Sequence, residues 1–171
     1  MGGKDQKFKG AEALVRWNHP TYGLLTPDEF IQLFEIHHLI GRLGLYVFEE
    51  VCQIIKCWES LNQLKVPITV NLSRVAIKSN DFNALNQIFE LKQKYDIPDF
   101  SIKVETTESI MSEKTDLPLV KQFIQLMHMH GISISMDDFG KGYSSLSILK
   151  EIDVDAIKLD CSFFINENEN T

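Results

Sequence analysis

Apolar positions along the chain switch repeatedly between a repeat of two and a repeat of three to four, with capping and turn residues at the switches. A first extended run covers roughly Phe8 to Leu14. Thr26-Pro27-Asp28-Glu29 then reads as a capping box with proline at the first helical position, predicting a helix with Phe30, Leu33 and Phe34 inward. Ile40, Leu43, Val47, Val51, Ile54, Ile55 and Trp58 form the stripe of a longer helix that ends near Asn62. Val66 to Leu72 is short and β-branched and predicts a strand. Leu85, Ile88, Phe89 and Leu91 mark a weaker helix leading to Tyr95, and Phe100 to Glu105 is the next strand. Leu117 to His130 predicts a helix with Val120, Phe123, Ile124 and Met127 inward, closed by Gly131 at the C-cap. Ile132, Ile134 and Met136 alternate with Ser133 and Ser135 in a strand running into Asp137-Asp138. A Gly-containing turn, a short helix from Ser144 to Lys150 and a strand from Ala156 to Asp160 complete the pattern.

Strands alternating with helices in this way predict an α/β chain with a parallel sheet. A length of 171 residues suits one domain, taken as residues 1–165 with a polar tail at 166–171 that lacks an apolar anchor. The 44% apolar composition supports a sizeable core. A formal charge of −7 argues against a broad electrostatic grip on a nucleic acid polymer, and any anionic ligand here needs a neutralising partner. No stretch approaches the roughly 20 apolar residues of a membrane span, and residues Met1 to Lys9 contain no apolar signal core. The three cysteines, Cys52, Cys57 and Cys161, follow no metal spacing and read as reduced core residues of a soluble, cytoplasmic protein.

In parallel α/β folds, ligands bind at the carboxyl ends of the strands. The predicted ends carry Glu12, Asn71, Glu105, Asp137 with Asp138, and finally Lys158 with Asp160. Acidic residues also simply open solvated loops, but strand ends that repeat the same chemistry weaken that reading. Carboxylates gathered on one rim repel one another unless cations sit among them, and oxygen donors without His or Cys select Mg²⁺ or Mn²⁺. A pair of such ions would also solve the charge problem of an anionic phosphodiester substrate. Other motifs fail on spacing. Gly140-Lys141-Gly142 is not a Walker loop, and His37-His38 and His128-x-His130 lack the i, i+4 interval of a helical zinc pair.

The stretches GAEALVRW (10–17), VNLS (70–73), VETTES (104–109), DDFGKGYSSL (137–146) and IKLD (157–160) resemble, in order, the signatures of the bacterial EAL-domain family. The resemblance implies a TIM-type (β/α) barrel, here incomplete with about five strands, that hydrolyses cyclic di-GMP to linear pGpG with two Mg²⁺ or Mn²⁺ ions. It implies Glu12, Asn71, Glu105, Asp137 and Asp138 as metal ligands and Lys158 as the residue that positions the attacking water. Arg16 would contact a substrate phosphate, with Leu14 and Asp160 beside the substrate. Glu108 would anchor the loop from Asp138 to Ser145, whose turns use Gly140 and Gly142. Arg16 also fits a surface ion pair, Lys158 a solvated strand end, and the glycines ordinary turns. Two positions depart from the family pattern: Lys141 replaces a small or hydroxyl residue and Thr106 an aliphatic one.

The family's opening strand is expected before Gly10, and two further strands, one carrying the implied general base, after Asp160. The 171 residues are therefore expected to be weakly active or inactive, or to form a non-catalytic nucleotide-sensing or protein-interaction module. Strand edges left open by an incomplete barrel are expected to invite pairing with a second copy.

Overall fold

The computed structural model describes residues 8–63, 66–73, 82–107, 110, 116–140 and 149–161. Its frame is a parallel sheet built from five short segments, each with an apolar residue at alternate positions. The strands are β1 (Ala11–Ala13), β4 (Ile68–Asn71), β5 (Ile102–Thr107), β6 (Ser133–Phe139) and β7 (Ala156–Leu159), in the spatial order β1-β4-β5-β6-β7. Between them run α1 (Pro27–Ile36), α2 (Ile40–Ser60), α3 (Phe82–Lys94) and α4 (Leu117–Met129). This is an α/β arrangement, as the sequence pattern predicts, of the incomplete (β/α) barrel kind that the resemblance implies.

The alternation decides what each face of the sheet carries. Ile68, Val70, Ile102, Val104, Ile132, Ile134 and Met136 share one buried cluster with Phe48, Val51, Cys52 and Ile55 of α2 and with Val120, Phe123, Ile124 and Met127 of α4. The intervening positions stay in step across the strands, pairing Glu12 with Thr69, Asn71 with Glu105, Glu105 with Ser135 and Thr107 with Asp137. In-register parallel pairing therefore collects the polar side chains in rows on the opposite face.

Local signals set the helix ends. Glu29 reaches back to accept hydrogen bonds from the Thr26 backbone N–H at 2.7 Å and its hydroxyl at 2.9 Å, which holds the Glu29 carboxyl below its ordinary range. Gly131 follows α4 at φ 64°, and a Cβ there would collide with the side chain of Asp99. Asn62, just past α2, adopts φ 50° where the predicted helix stop falls. At the base of the sheet, Asp155 Oδ2 accepts a hydrogen bond from Ile134 N at 2.7 Å and lies 2.9 Å from His128 Nε2. This ties β6 to the segment entering β7 and to the end of α4.

Several details differ from the sequence expectation. The first strand is only Ala11–Ala13, and an unpredicted antiparallel hairpin follows it, β2 (Trp17–His19) with β3 (Gly23–Leu25). Strands of three residues are too short for a period-two pattern to register. The hairpin lays Trp17 edge-on against Phe30 and Phe34 of α1. The buried stripe of α2 centres on Phe48 and Cys52, which leaves Ile54 exposed, and Leu33 of α1 is also exposed. The predicted 144–150 helix lies outside the described residues except at its end.

Cys52 is buried, whereas Cys57 and Cys161 are exposed, so the expectation of three core cysteines is corrected. Cys57 falls on the solvent side of α2, five positions along from Cys52. Burial is the leading cause that pushes the Cys52 thiol up to about 12, with the nearby Glu49 charge adding to it. Titration of the native protein with a thiol reagent at pH 8 is expected to label Cys57 and Cys161 quickly, and Cys52 only after unfolding. Three equally fast thiols by mass spectrometry would contradict the packing of α2.

Candidate metal centre

The polar rows of the sheet converge on Glu105. It sits in β5, between Asn71 of β4 and Ser135 of β6 in register, and is 1% exposed. Its Oε2 lies 3.4 Å from the Ser135 hydroxyl, a long hydrogen bond. Its Oε1 is buried without a well-directed hydrogen bond, and its charge is met by the Lys158 ammonium from β7 at 2.6 Å. Burial leads the causes that hold the Glu105 carboxyl above its usual range; the Lys158 partner opposes the shift and the neighbouring Asp137 adds to it. The hydrogen bond to Glu105 leads the causes that raise Lys158, reinforced by Asp137 and Glu12, while its own desolvation opposes them.

On one side of Glu105, the Asn71 side-chain amide donates to Glu12 Oε1 at 2.8 Å and so joins β4 to β1. On the other side, β6 carries Asp137 and Asp138 through a break in register between Met136 and Phe139. Asp138 adopts φ 57°, and its N–H donates to Asp137 Oδ1 at 2.8 Å. Without such a break, two consecutive strand residues point to opposite faces.

The sequence places these residues at strand ends, and three positions need adjustment. Glu12 is the middle residue of β1, β5 continues to Thr107 beyond Glu105, and β6 continues through Asp138 to Phe139. The strands run further because Thr106 and Phe139 are buried and extend the ladder. Asp160 follows β7, its N–H donating to Phe139 O at 3.0 Å. Arg16 lies in the segment after β1, exposed, and its Nη1 donates to Val15 O at 2.7 Å. Leu14 is 61% exposed beside it. Gly140, at φ 102°, ends β6, while Glu108, Lys141 and Gly142 lie outside the described residues.

The donors suit a hard divalent cation. They are oxygens, and the buried Glu105 carboxylate, met by the Lys158 ammonium and at 3.4 Å by the Ser135 hydroxyl, keeps acceptor capacity for a cation. Among the described residues no three His, Cys, Asp or Glu side chains converge tightly enough to enclose an ion, so the row offers ligands without forming a closed cage.

A cavity of about 340 Å³ opens beside this row, which the sequence reading did not anticipate. Ile31 and Glu35 of α1, Leu43 and Val47 of α2, and Leu14 line it together with Asn71, Ser73 and Glu105. Glu35 Oε1 accepts a hydrogen bond from the Ser73 hydroxyl at 2.9 Å. In sequence, Glu35 reads as an ordinary polar position of an amphipathic helix. Only the tertiary placement of α1 over the end of β4 reveals its surroundings.

A parallel (β/α) barrel-type sheet with carboxylate and amide oxygens along its polar face defines the class of this domain. The chain belongs to the EAL-domain family, whose pattern "EAL domain" matches residues 2–171. It is 39% identical over 161 residues to the cyclic di-GMP phosphodiesterase PdeR of Escherichia coli K12, covering 92% of this chain and 23% of that protein. It is 35% identical over 158 residues to MucR of Pseudomonas aeruginosa, a bifunctional diguanylate cyclase/cyclic di-GMP phosphodiesterase, covering 92% of this chain and 22% of MucR. The solved MucR phosphodiesterase, in complex with cyclic di-GMP, matches with a TM-score of 0.75 and 31% identity over 94% of this chain and 63% of that one. The chain thus spans less than a quarter of these two curated relatives. No helix among the described residues is long and apolar enough to cross a membrane.

The two partners of the ion pair differ in burial, and their removal should differ in cost. Lys158 is 49% exposed and can return to water, whereas Glu105 cannot. Lys158→Met is therefore expected to destabilise the metal-free protein at pH 7 by about 1–3 kcal/mol, the cost of orphaning a buried polar group. Glu105→Gln should cost less. The fold disfavours the Glu105 charge, so the penalty in Lys158→Met is present above the raised carboxyl pKa and fades as pH falls through it. Urea titrations in EDTA at pH 7 and pH 4 check both; a larger loss in Glu105→Gln would reverse the assignment of which partner carries the desolvation.

Proposed function

We propose that this chain is a phosphodiesterase-type EAL domain that binds cyclic di-GMP and hydrolyses it to linear pGpG with the help of two Mg²⁺ or Mn²⁺ ions. The observation that carries the reading is the buried Glu105 carboxylate, paired with Lys158 and set on one face of the sheet with Glu12, Asn71 and Asp137. The likeness to PdeR and MucR supports the substrate.

In this reading Glu12, Asn71, Glu105, Asp137 and Asp138 hold the ions. When bound, the ions neutralise the phosphodiester, raise the acidity of a water molecule and stabilise the leaving oxygen. Lys158 orients the attacking water from the β7 side and balances the Glu105 carboxyl across the sheet. Arg16 is free to turn from its own backbone toward a phosphate, where a planar guanidinium pairs with two oxygens. Leu14 and Asp160 border the substrate, and Glu108 steadies the loop that contains Gly140 and Gly142. Water forms the new P–O bond as the ribose 3′ oxygen departs with a proton, giving pGpG.

A second reading is a non-catalytic module that senses the nucleotide or holds a protein partner. The absence of three convergent acidic or histidine side chains among the described residues favours it. Incubation with cyclic di-GMP and Mn²⁺, followed by chromatography, separates the two. Slow appearance of pGpG that vanishes in Glu12→Ala supports the enzyme, whereas binding in Ca²⁺ with no pGpG in Mn²⁺ supports the sensor. Calorimetric Mn²⁺ affinity that survives in both Glu105→Ala and Asp137→Ala would sink the ligand set.

The proposal extends to self-association. Among the described residues β1 and β7 each pair on one side only, and Ile157 and Leu159 of β7 are 37% and 45% exposed. Parallel pairing of these edges between two copies would satisfy the backbone groups and cover the apolar residues. Sedimentation is expected to show a dimer that Leu159→Lys weakens; a monomer at all concentrations would overturn it.

A further inference from the structure

Lys158 meets a buried carboxylate two strands away, yet its own strand is weakly held. β7 has 4 residues, pairs on one side only among the described residues, and leaves Ile157, Lys158 and Leu159 exposed. A strand with so little burial has no strong hydrophobic pattern to fix its register. The ladder does not fix it at Lys158 either. Ala156 pairs with Ser135 and Ile157 with Met136, and pairing resumes only at Leu159 with Phe139, so Lys158 stands opposite the register break with no partner of its own. Ile152 and Val154 pack against the core just before the strand, but apolar contact is non-directional and does not set pairing to the residue.

Asp155 supplies the missing lock. Its backbone N–H donates to Ile134 O at 2.9 Å and its Oδ2 accepts from Ile134 N at 2.7 Å, so one residue takes up both backbone groups of Ile134. Ile134 is fully buried, where an unmet N–H is costly, so the lock favours one register. His128 Nε2, from the last turn of α4, lies 2.9 Å from the same carboxylate oxygen and braces it from the helix side. At the far end of β7 the Asp160 N–H reaches Phe139 O at 3.0 Å.

Resting on the reading in which Lys158 acts in hydrolysis, we infer that Asp155 is the positioning residue for Lys158. It sets the register of β7 at its entry and thereby the face on which the ammonium meets Glu105. A slip of one residue would turn Lys158 to the opposite face and bring an apolar neighbour, Ile157 or Leu159, to the polar row. Asp155 acts along the strand, about 10 Å from Lys158, rather than by contact with the reacting groups.

The test reads the Lys158 ammonium by NMR in the full 171-residue chain, free of metal and nucleotide. Scalar coupling across the hydrogen bond, from Lys158 Nζ to the Glu105 carboxyl carbon, reports the pair, and Lys158→Met assigns the signal. Asp155→Ala is expected to abolish the coupling in protein that a thermal melt shows to be folded. Asp155→Asn keeps an oxygen for the Ile134 N–H without the charge and is expected to retain it. Asp155→Glu keeps the charge but sets the oxygen one methylene further out, and is expected to lose it. If Asp155→Ala does not fold, the other two variants decide. Loss in Asp155→Asn, or retention in Asp155→Ala or Asp155→Glu, overturns the inference and leaves Asp155 a role in stability or charge alone. The hydrolysis reading is checked separately by pGpG formation in Mn²⁺. Where pGpG forms, kcat is expected to fall in Asp155→Ala with KM unchanged and to recover in Asp155→Asn; an unchanged kcat removes Asp155 from the reaction. No pGpG from the unaltered chain counts against the hydrolysis reading, while the coupling still decides what sets the register.

Discussion

The contact on which the polar face depends is the ion pair between Glu105 and Lys158. The two residues belong to β5 and β7, with β6 between them, so their backbones lie roughly 10 Å apart across the sheet. Side chains separated by a whole strand meet at 2.6 Å because both project from one face and the lysine stem spans β6. Remove the pairing and a carboxylate that is 1% exposed is left with a long contact to Ser135 and the unfavourable neighbourhood of Asp137. Desolvation outweighs attraction here, which makes the pair a poor stabiliser and a good reservoir. Its carboxylate is held out of water on the face that also carries Asn71 and Asp137.

The arrangement comes from an economical use of period-two geometry. One parity of β4, β5 and β6 supplies Ile, Val and Met to the core, and the other supplies the donors. Core and site are therefore coupled by register. A shift of one residue in any strand would exchange Val104 for Glu105 in the helix interface, so packing against α2 and α4 enforces the positions of the polar residues.

Much of this was legible in the sequence because it is local or periodic. The alternation of Ile132, Ile134 and Met136 with serines, the stripe of α4, the Thr26-Glu29 box and Gly131 each carry their own signal, and all are found where expected. The ordered motifs identify the family. What escaped depends on contacts between distant segments. The β2–β3 hairpin takes its stability from Trp17 on Phe30 and Phe34, which no short-range pattern reveals. The burial of Cys52 rather than Cys57 follows from how α2 is rotated on the sheet. Glu35 becomes notable only once α1 is laid across the end of β4.

The register break in β6 carries a consequence for how this sequence can vary. Asp138 stands at φ 57°, a conformation that aspartate and asparagine accept far more readily than most side chains and that β-branched residues resist. Under the metal reading proposed above, a substitution here must satisfy two unrelated filters at once, one on backbone shape and one on oxygen chemistry. Glycine passes the first and fails the second, glutamate the reverse. The position is therefore nearly closed to mutational drift, even though it contributes no side chain to the core.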